Sequence, residues 1–249
     1  MVTAALLCLV RSSAWPQNHS MKNRHLGTLL HLCDPTLPIG SFAHSNGLET
    51  YVQSGRVCDA TSVCDFVRNM LSNNIKYNDA AFVRLSFEAA SSFDLATVIL
   101  LDQECTALKC PKEIRQASIK LGLRILKIFS KQTKHCLARD YQQAIWKNAA
   151  EGHYSIAFGL FASLFNIPVN EALLAFYYNA AVGMITNSVK LVPLGQLDGQ
   201  QILFQLHPLF RQLAKETLML ERELVGLCNI GFDIHCMQHE ILYSRLYMS

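Results

Sequence analysis

Two short stretches carry the residue types that catalysis or metal binding needs. The first, Leu37-Pro38-Ile39-Gly40-Ser41-Phe42-Ala43-His44-Ser45-Asn46-Gly47-Leu48-Glu49, gathers hydroxyls, an imidazole and a carboxylate. In an acyl-transfer enzyme Ser41 or Ser45 would be the nucleophile, His44 the base and Glu49 the group that orients it. Neighbours along one turn rarely reach that geometry, and the strained G-x-S-x-G elbow that exposes such a nucleophile is absent. Pro38 and Gly40 force a turn instead, and Ser41 is suited to cap the helix that comes next. The second stretch, Asp233-Ile234-His235-Cys236-Met237-Gln238-His239-Glu240, is the best metal candidate. With Asp233 as N-cap, His235 and His239 stand one turn apart on a helix face, with Cys236 and Glu240 beside them. Imidazoles so spaced can share zinc or nickel, with Cys236, Glu240 or a second chain as the third ligand. Packing or hydrogen-bonding histidines are the favoured reading. An H-E-x-x-H order, a phosphate-cradling glycine loop and a dinucleotide fingerprint are all missing. Nothing in these residues points to an enzyme.

A third feature is electrostatic. Between Ile114 and Arg139 there are seven basic residues and no acid, while the remainder holds fifteen basic residues against nineteen acids. Lys120, Arg124, Lys127, Lys131 and Lys134 recur at spacings of four and three, which lines them along one stripe of a helix. A solvated helix face is the first reading. A docking strip for an acidic partner is the second, because like charges at this spacing repel and do not favour the helix. Nucleic acid ranks third: the pI is near 8.4 and no aromatic residues interleave the stripe for base stacking.

The elements that must position these residues read as helices almost everywhere. Asp59 fits an N-cap for a helix burying Val63, Phe66, Val67, Met70 and Leu71. Gly55 ends the segment Leu48 to Ser54, and Asn78 or Asp79 opens a helix through Phe82, Leu85 and Phe87. Pro111 fits the first turn of a long helix carrying Ile114, Leu121, Ile125 and Ile128. Gly152 precedes an apolar helix ending near Asn166. Pro168 and Asn170 punctuate before the next helix, which Pro193 and Gly195 terminate. Asp198 with Gln201 resembles a capping box, and Pro208 kinks that helix or starts another. No sustained alternation, tandem repeat or long linker divides the chain. The expectation is all-α: a single-domain bundle of about ten helices with loose ends.

Composition narrows the class further. The 249 residues are 51% hydrophobic and only 16% charged, which excludes an intrinsically disordered chain. Such an apolar excess predicts subunit or partner interfaces. The most apolar runs, Tyr154 to Phe165 and Ala172 to Ile185, are interrupted or bounded by Asn and Pro. They read as buried core helices rather than membrane spans, which need about 20 apolar residues. Residues 1–23, with Leu6, Leu7, Leu9 and Val10 before Arg11, read as a flexible extension rather than a signal peptide. Nine cysteines, an odd number without C-x-x-C spacing, predict reduced thiols in a cytoplasmic protein.

Three blocks in order carry a family resemblance: Leu32 to Glu49 (L-C-D-P-T-L-P-I-G-S-F-A-H-S-N-G-L-E), Lys190 to Gln201 (K-L-V-P-L-G-Q-L-D-G-Q-Q), and Phe232 to Ser249 (F-D-I-H-C-M-Q-H-E-I-L-Y-S-R-L-Y-M-S). Together with Gly55-Arg56-Val57, Arg115 to Ser118 and Gly152-His153, they closely resemble the UreF family of urease accessory proteins, from about residue 24 to the end. The resemblance implies an all-α, homodimeric, non-enzymatic scaffold with no directly bound cofactor. It would join UreD (also called UreH) and the GTPase UreG to the urease apoprotein, in a complex that handles nickel for insertion. It implies no nucleic-acid or membrane partner. Residues 24–227 would form the UreF-like domain and residues 228–249 a partner-docking tail that orders on UreD/UreH.

The implied partner contacts in that tail are Phe232, Ile234, Met237, His239, Glu240, Tyr243, Arg245, Leu246 and Tyr247, with Ile241 among the side chains it would bury. Pro193, Gln196, Asp198 and Gln200 would lie at the surface shared with UreG and the second protomer, and His44 and Glu49 complete the set. The alternative is a direct nickel chaperone using His235, Cys236 and His239. The chain departs from the family pattern at Lys190, Gln201 and Gln238, where Arg is usual, and at Tyr247-Met248-Ser249, where Phe-Arg-Ser is common. Glutamine cannot supply the fixed guanidinium of an arginine finger. Arg245 is the one Arg left in the terminal block, so scaffolding or gating is expected over GTPase activation.

Overall fold

The structure, a computed structural model, describes residues 24–133, 135–227 and 229–248. The expected N-terminal extension (1–23), Lys134 of the basic stripe, Cys8, Cys228 and Ser249 lie outside the described residues. Those described form twelve α-helices and no strand: α1 Leu26–Leu32, α2 Leu48–Gln53, α3 Ala60–Asn69, α4 Asp79–Ser91, α5 Leu95–Leu108, α6 Lys112–Phe129, α7 Cys136–Trp146, α8 Tyr154–Leu164, α9 Val169–Leu191, α10 Gln196–Gln205, α11 His207–Leu218 and α12 Ile230–His239. Short 3₁₀ turns at Ser41–Ala43 and Arg222–Leu224 and a π-helical turn at Met70–Ile75 complete them.

Most boundaries follow the local chemistry. Asp59 caps α3 reciprocally with Ser62: its carboxylate accepts from the Ser62 N–H at 2.8 Å. Asn78 and Pro111 are the N-caps of α4 and α6, and Pro208 sits in the first turn of a restarted helix. Four expectations are corrected. Ser41 opens a 3₁₀ turn without capping it. Asn170 lies inside α9, whose N-cap is Pro168. Asp198 is the third residue of α10, not its cap; it reaches back to accept from the Gly195 N–H at 3.1 Å. Asn229, rather than Asp233, caps α12, accepting from Phe232 N–H. Only α10 and α12 of these carry a side-chain capping bond; Gly40 and Pro168 set their boundaries through the backbone alone.

The apolar helix α8 is the axis of the bundle. Every residue from Ser155 to Ala162 is buried, so it has no solvent face. It packs most intimately on α4, with α6 on another side and α9 crossing nearby. Gly159 makes this contact possible, because a Cβ there would stand 2.3 Å from the Val83 carbonyl oxygen. Ser86 donates its hydroxyl to the Ile156 carbonyl at 2.7 Å in the same contact.

A second buried device ties α5, α7 and the turn before α8. The Asp102 carboxylate accepts from Tyr141 Oη at 2.5 Å and from the N–H groups of Glu151 and His153 at 2.6 and 2.9 Å. The neighbouring His153 ring is held by Ser118 and Thr106, and burial pushes its pKa down to about 4. The seven described cysteines are all free thiols. Among the described residues no helix is long and apolar enough to cross a membrane.

Candidate functional site: the C-terminal clasp

The first and third sequence blocks, far apart in the chain, meet in space. Gly47, with φ of 78°, ends the turn after Asn46 and starts α2. A side chain at Gly47 would collide with the Cys236 sulfur at 2.8 Å, so the glycine serves both the backbone angle and the approach of α12. Glu49, one residue into α2, is buried. Its carboxylate accepts from the backbone N–H groups of Leu246 and Tyr247 at 2.7 and 3.0 Å and faces His239 Nε2 at 2.9 Å. The other ring nitrogen of His239 lies 2.7 Å from Glu113 on α6, and Glu113 also accepts from Arg245 at 2.6 Å. Both ring nitrogens thus face carboxylate oxygens, so the ring is held from two sides. His239 is fully enclosed in this site.

Backbone contacts extend this clasp. Met248 N–H donates to the Ala43 carbonyl at 2.9 Å, Thr50 Oγ1 to the His235 carbonyl at 2.9 Å, and Gln53 to the Ser244 carbonyl at 3.1 Å. On the far side Asn187 of α9 donates to the His44 carbonyl at 2.7 Å. The His44 ring itself is buried, and burial, with Lys120 and Arg124 nearby, holds its pKa below the usual imidazole range. The Glu49 carboxylate, the orienting group of the triad weighed from sequence, is instead committed to His239 and the tail backbone.

The three candidate metal ligands face different surroundings. His235 stacks on Tyr51 with ring centroids 4.1 Å apart. Cys236 is buried against Gly47, where desolvation pushes its thiol well above the normal range and disfavours the thiolate a metal needs. His239 is bracketed by Glu49 and Glu113. Among the described residues no three His, Cys, Asp or Glu converge on a point where a metal could sit.

The expected partner contacts divide into two sets. His44, Glu49, Phe232, His239 and Tyr247 are enclosed within this chain, and Arg245, though exposed, is paired with Glu113, so these six hold the tail in place. Ile234, Met237, Tyr243 and Leu246 are exposed, and Ile241 is 83% exposed; Glu240 is half-buried beside them. The same stretch of chain therefore has a polar inner side locked to α2 and α6 and an apolar outer side open to solvent. Pro193, Gln196, Asp198 and Gln200 all sit exposed at and after the α9–α10 turn. Sequence reasoning missed two residues beside them, Leu197 at 84% and Phe204 at 74% exposure, which share their helix face. Seven-residue spacing was the available signal. Glu113, the second carboxylate on His239, was also missed, and no local pattern marks it.

The UreF family profile matches residues 57–207 of this chain. The urease accessory protein UreF of Actinobacillus pleuropneumoniae serotype 3 is 48% identical over 224 residues, covering 90% of this chain and 99% of that protein. The protein of the same name from Haemophilus influenzae strain KW20 is 46% identical over 90% of this chain and 95% of its own. That of Lachnoclostridium phytofermentans is 30% identical over 89% and 97%.

Proposed function

Since the chain belongs to the UreF family of urease accessory proteins, we propose that it is a non-catalytic scaffold joining UreD/UreH and UreG to the urease apoprotein for nickel insertion. In this reading it acts in the cytoplasm as a homodimer, binds no cofactor of its own, and leaves nickel to the assembled complex as cargo. The observation that carries the reading is the two-sidedness of the C-terminal segment. Glu49, His239, Glu113 and Arg245 pin it from within, while Ile234, Met237, Ile241, Tyr243 and Leu246 point outward, exposed to solvent. A pre-ordered apolar strip costs a partner little conformational entropy to bind. The strip is the surface assigned to UreD/UreH, and the α10 face with Gln196, Leu197, Gln200 and Phe204 is the one assigned to UreG and the second protomer.

Arg245 bears on the chemistry at UreG. Its guanidinium is already paired with Glu113, so an arginine finger would have to break the clasp to reach a nucleotide. That favours scaffolding or gating.

Co-purification with UreD/UreH and UreG tests the reading. The full chain is expected to retain UreD/UreH, and Ile234→Glu with Ile241→Glu, or removal of residues 232–249, to lose it while urease stays inactive. Retention of UreD/UreH by the exposed-face variant would overturn the assignment. A stoichiometric Ni(II) site tighter than about micromolar in equilibrium dialysis, lost on changing His235 and His239 to Ala, would instead favour direct nickel carriage.

A further inference from the structure

The end of α6 and the length of α7 enclose a groove of about 630 Å³ on a side of the molecule that the scaffold reading leaves unused. Leu126, Ile145 and Trp146 give it an apolar wall, and Lys127, Lys131 and Arg139 line it with positive charge. No carboxylate is among the described residues that line it. Neither Lys127 nor Lys131 has an ion-pair partner among the described residues. Arg139 meets only its neighbour Asp140 at 3.6 Å, with 70% of its side chain in solvent, a pairing worth little. Asp94, on the adjoining loop, is committed to capping α5. Trp146 is 78% exposed. A tryptophan of that exposure is costly to leave uncovered and is the residue type most enriched in binding hot spots. Ser130, also in the lining, has a buried hydroxyl with no hydrogen-bond partner among the described residues.

Helix electrostatics explain only part of this charge. Lys127 lies in the last turn of α6, where a cation is favoured by the helix dipole. Arg139 lies near the start of α7, whose first turn holds no acid and whose N-cap offers no side-chain bond. The helix dipole does not favour a cation there, so it does not account for Arg139.

We propose that this groove is a docking site for a short acidic segment of a partner protein. The segment sets a large apolar side chain on Trp146 and its carboxylates on Lys127, Lys131 and Arg139. Charge complementarity selects this occupant. A long nucleic acid would track beyond the groove onto a surface whose remaining residues carry more acids than bases. A second copy meeting itself across a two-fold axis would bring this positive face onto its own image. The site is separate from the C-terminal strip, so its occupancy does not depend on the UreD/UreH assignment.

Fluorescence anisotropy with a short labelled Glu/Asp peptide bearing a central Phe-Leu pair tests the proposal on the full chain. Saturable binding in the micromolar range is expected, about tenfold weaker for Lys127→Glu with Lys131→Glu, about tenfold weaker for Trp146→Ala, and unchanged for Lys215→Glu on α11. A peptide with Glu in place of the Phe-Leu pair is expected to bind as weakly to the native chain as the parent peptide binds to Trp146→Ala. If the double reversal lowers the melting temperature, Lys127→Ala and Lys131→Ala singly carry the same comparison. Absence of saturable binding, equal loss on Lys215→Glu, or displacement of the peptide by lower concentrations of an oligothymidine overturns the proposal.

Discussion

At the scale of single residues the chain spends its buried charge on holding two ends of itself together. Glu49 and His239 lie 190 positions apart, yet three donors converge on one carboxylate. Removing one partner of such a buried set leaves the others unsatisfied, which costs about 3–5 kcal/mol. Glu49→Ala is therefore expected to release the Leu246 and Tyr247 amides to rapid hydrogen exchange and lower global stability by roughly that amount. Glu240→Ala, outside the network, is expected to change stability by less than about 0.5 kcal/mol. The importance of Glu49 and His239 was legible only through the family blocks, because nothing in local spacing says that they meet. For the same reason Glu113 was invisible: its neighbours in sequence describe a helix N-terminus, and its use is tertiary. His153 contributes a pH dependence in the same direction as the buried His44. The pKa of His153 falls to about 4 in the fold from an ordinary value of 6.5, so the unfolded chain binds the extra proton first. Stability is fully present above pH 6.5 and is expected to decline as pH falls toward 4, by up to about 1.4 kcal/mol per pH unit. Urea melts across that window should show a flatter decline in His153→Gln.

At the scale of elements, helices were readable wherever a cap or a period of three and four stood in the sequence. Asp59, Asn78, Pro111 and Pro208 all act at the boundaries they mark. Asp198 and Asp233 were misplaced for a shared reason. Both are acids in the first turn of a helix, where they favour the dipole as well as a cap would, so type alone does not distinguish the positions. Which helix touches which was beyond the pattern, since α8 is apolar all round and has no moment to aim it. Its contact with α4 depends on Gly159, and this separates two glycines that look alike in sequence. Gly159→Ala must push its Cβ against the Val83 carbonyl and is expected to destabilise by about 1–3 kcal/mol. Gly183→Ala in α9 meets nothing within 4 Å and is expected to stabilise by up to about 1 kcal/mol, as an ordinary helical Gly to Ala change does. Paired thermal melts of the two variants check the sign of each.

At the scale of the molecule, the apolar excess in the composition is resolved into places. Most of it fills the core around α8 and α9, but Ile234, Met237, Ile241, Tyr243 and Leu246 on one strip and Leu197 and Phe204 on another stay in solvent. Scattered single apolar residues are normal on a protein surface, whereas residues gathered on one face mark an interface. The two strips differ in how they are held. The C-terminal one rests on the clasp and can be weakened through Glu49 without touching an exposed residue. The α10 one stands on a helix anchored by Ile202 and Leu203 in the core and has no such control. Leu197→Asp with Phe204→Asp should therefore leave the melting temperature within a few degrees of the native value, because neither side chain is packed in this chain. Under the proposed scaffold reading, the same pair is expected to shift sedimentation from dimer to monomer and to abolish UreG recruitment while UreD/UreH binding persists. An unchanged dimer with both partners bound would remove α10 from the assembly surface. Loss of UreD/UreH together with UreG would mean that the two strips form one interface rather than two.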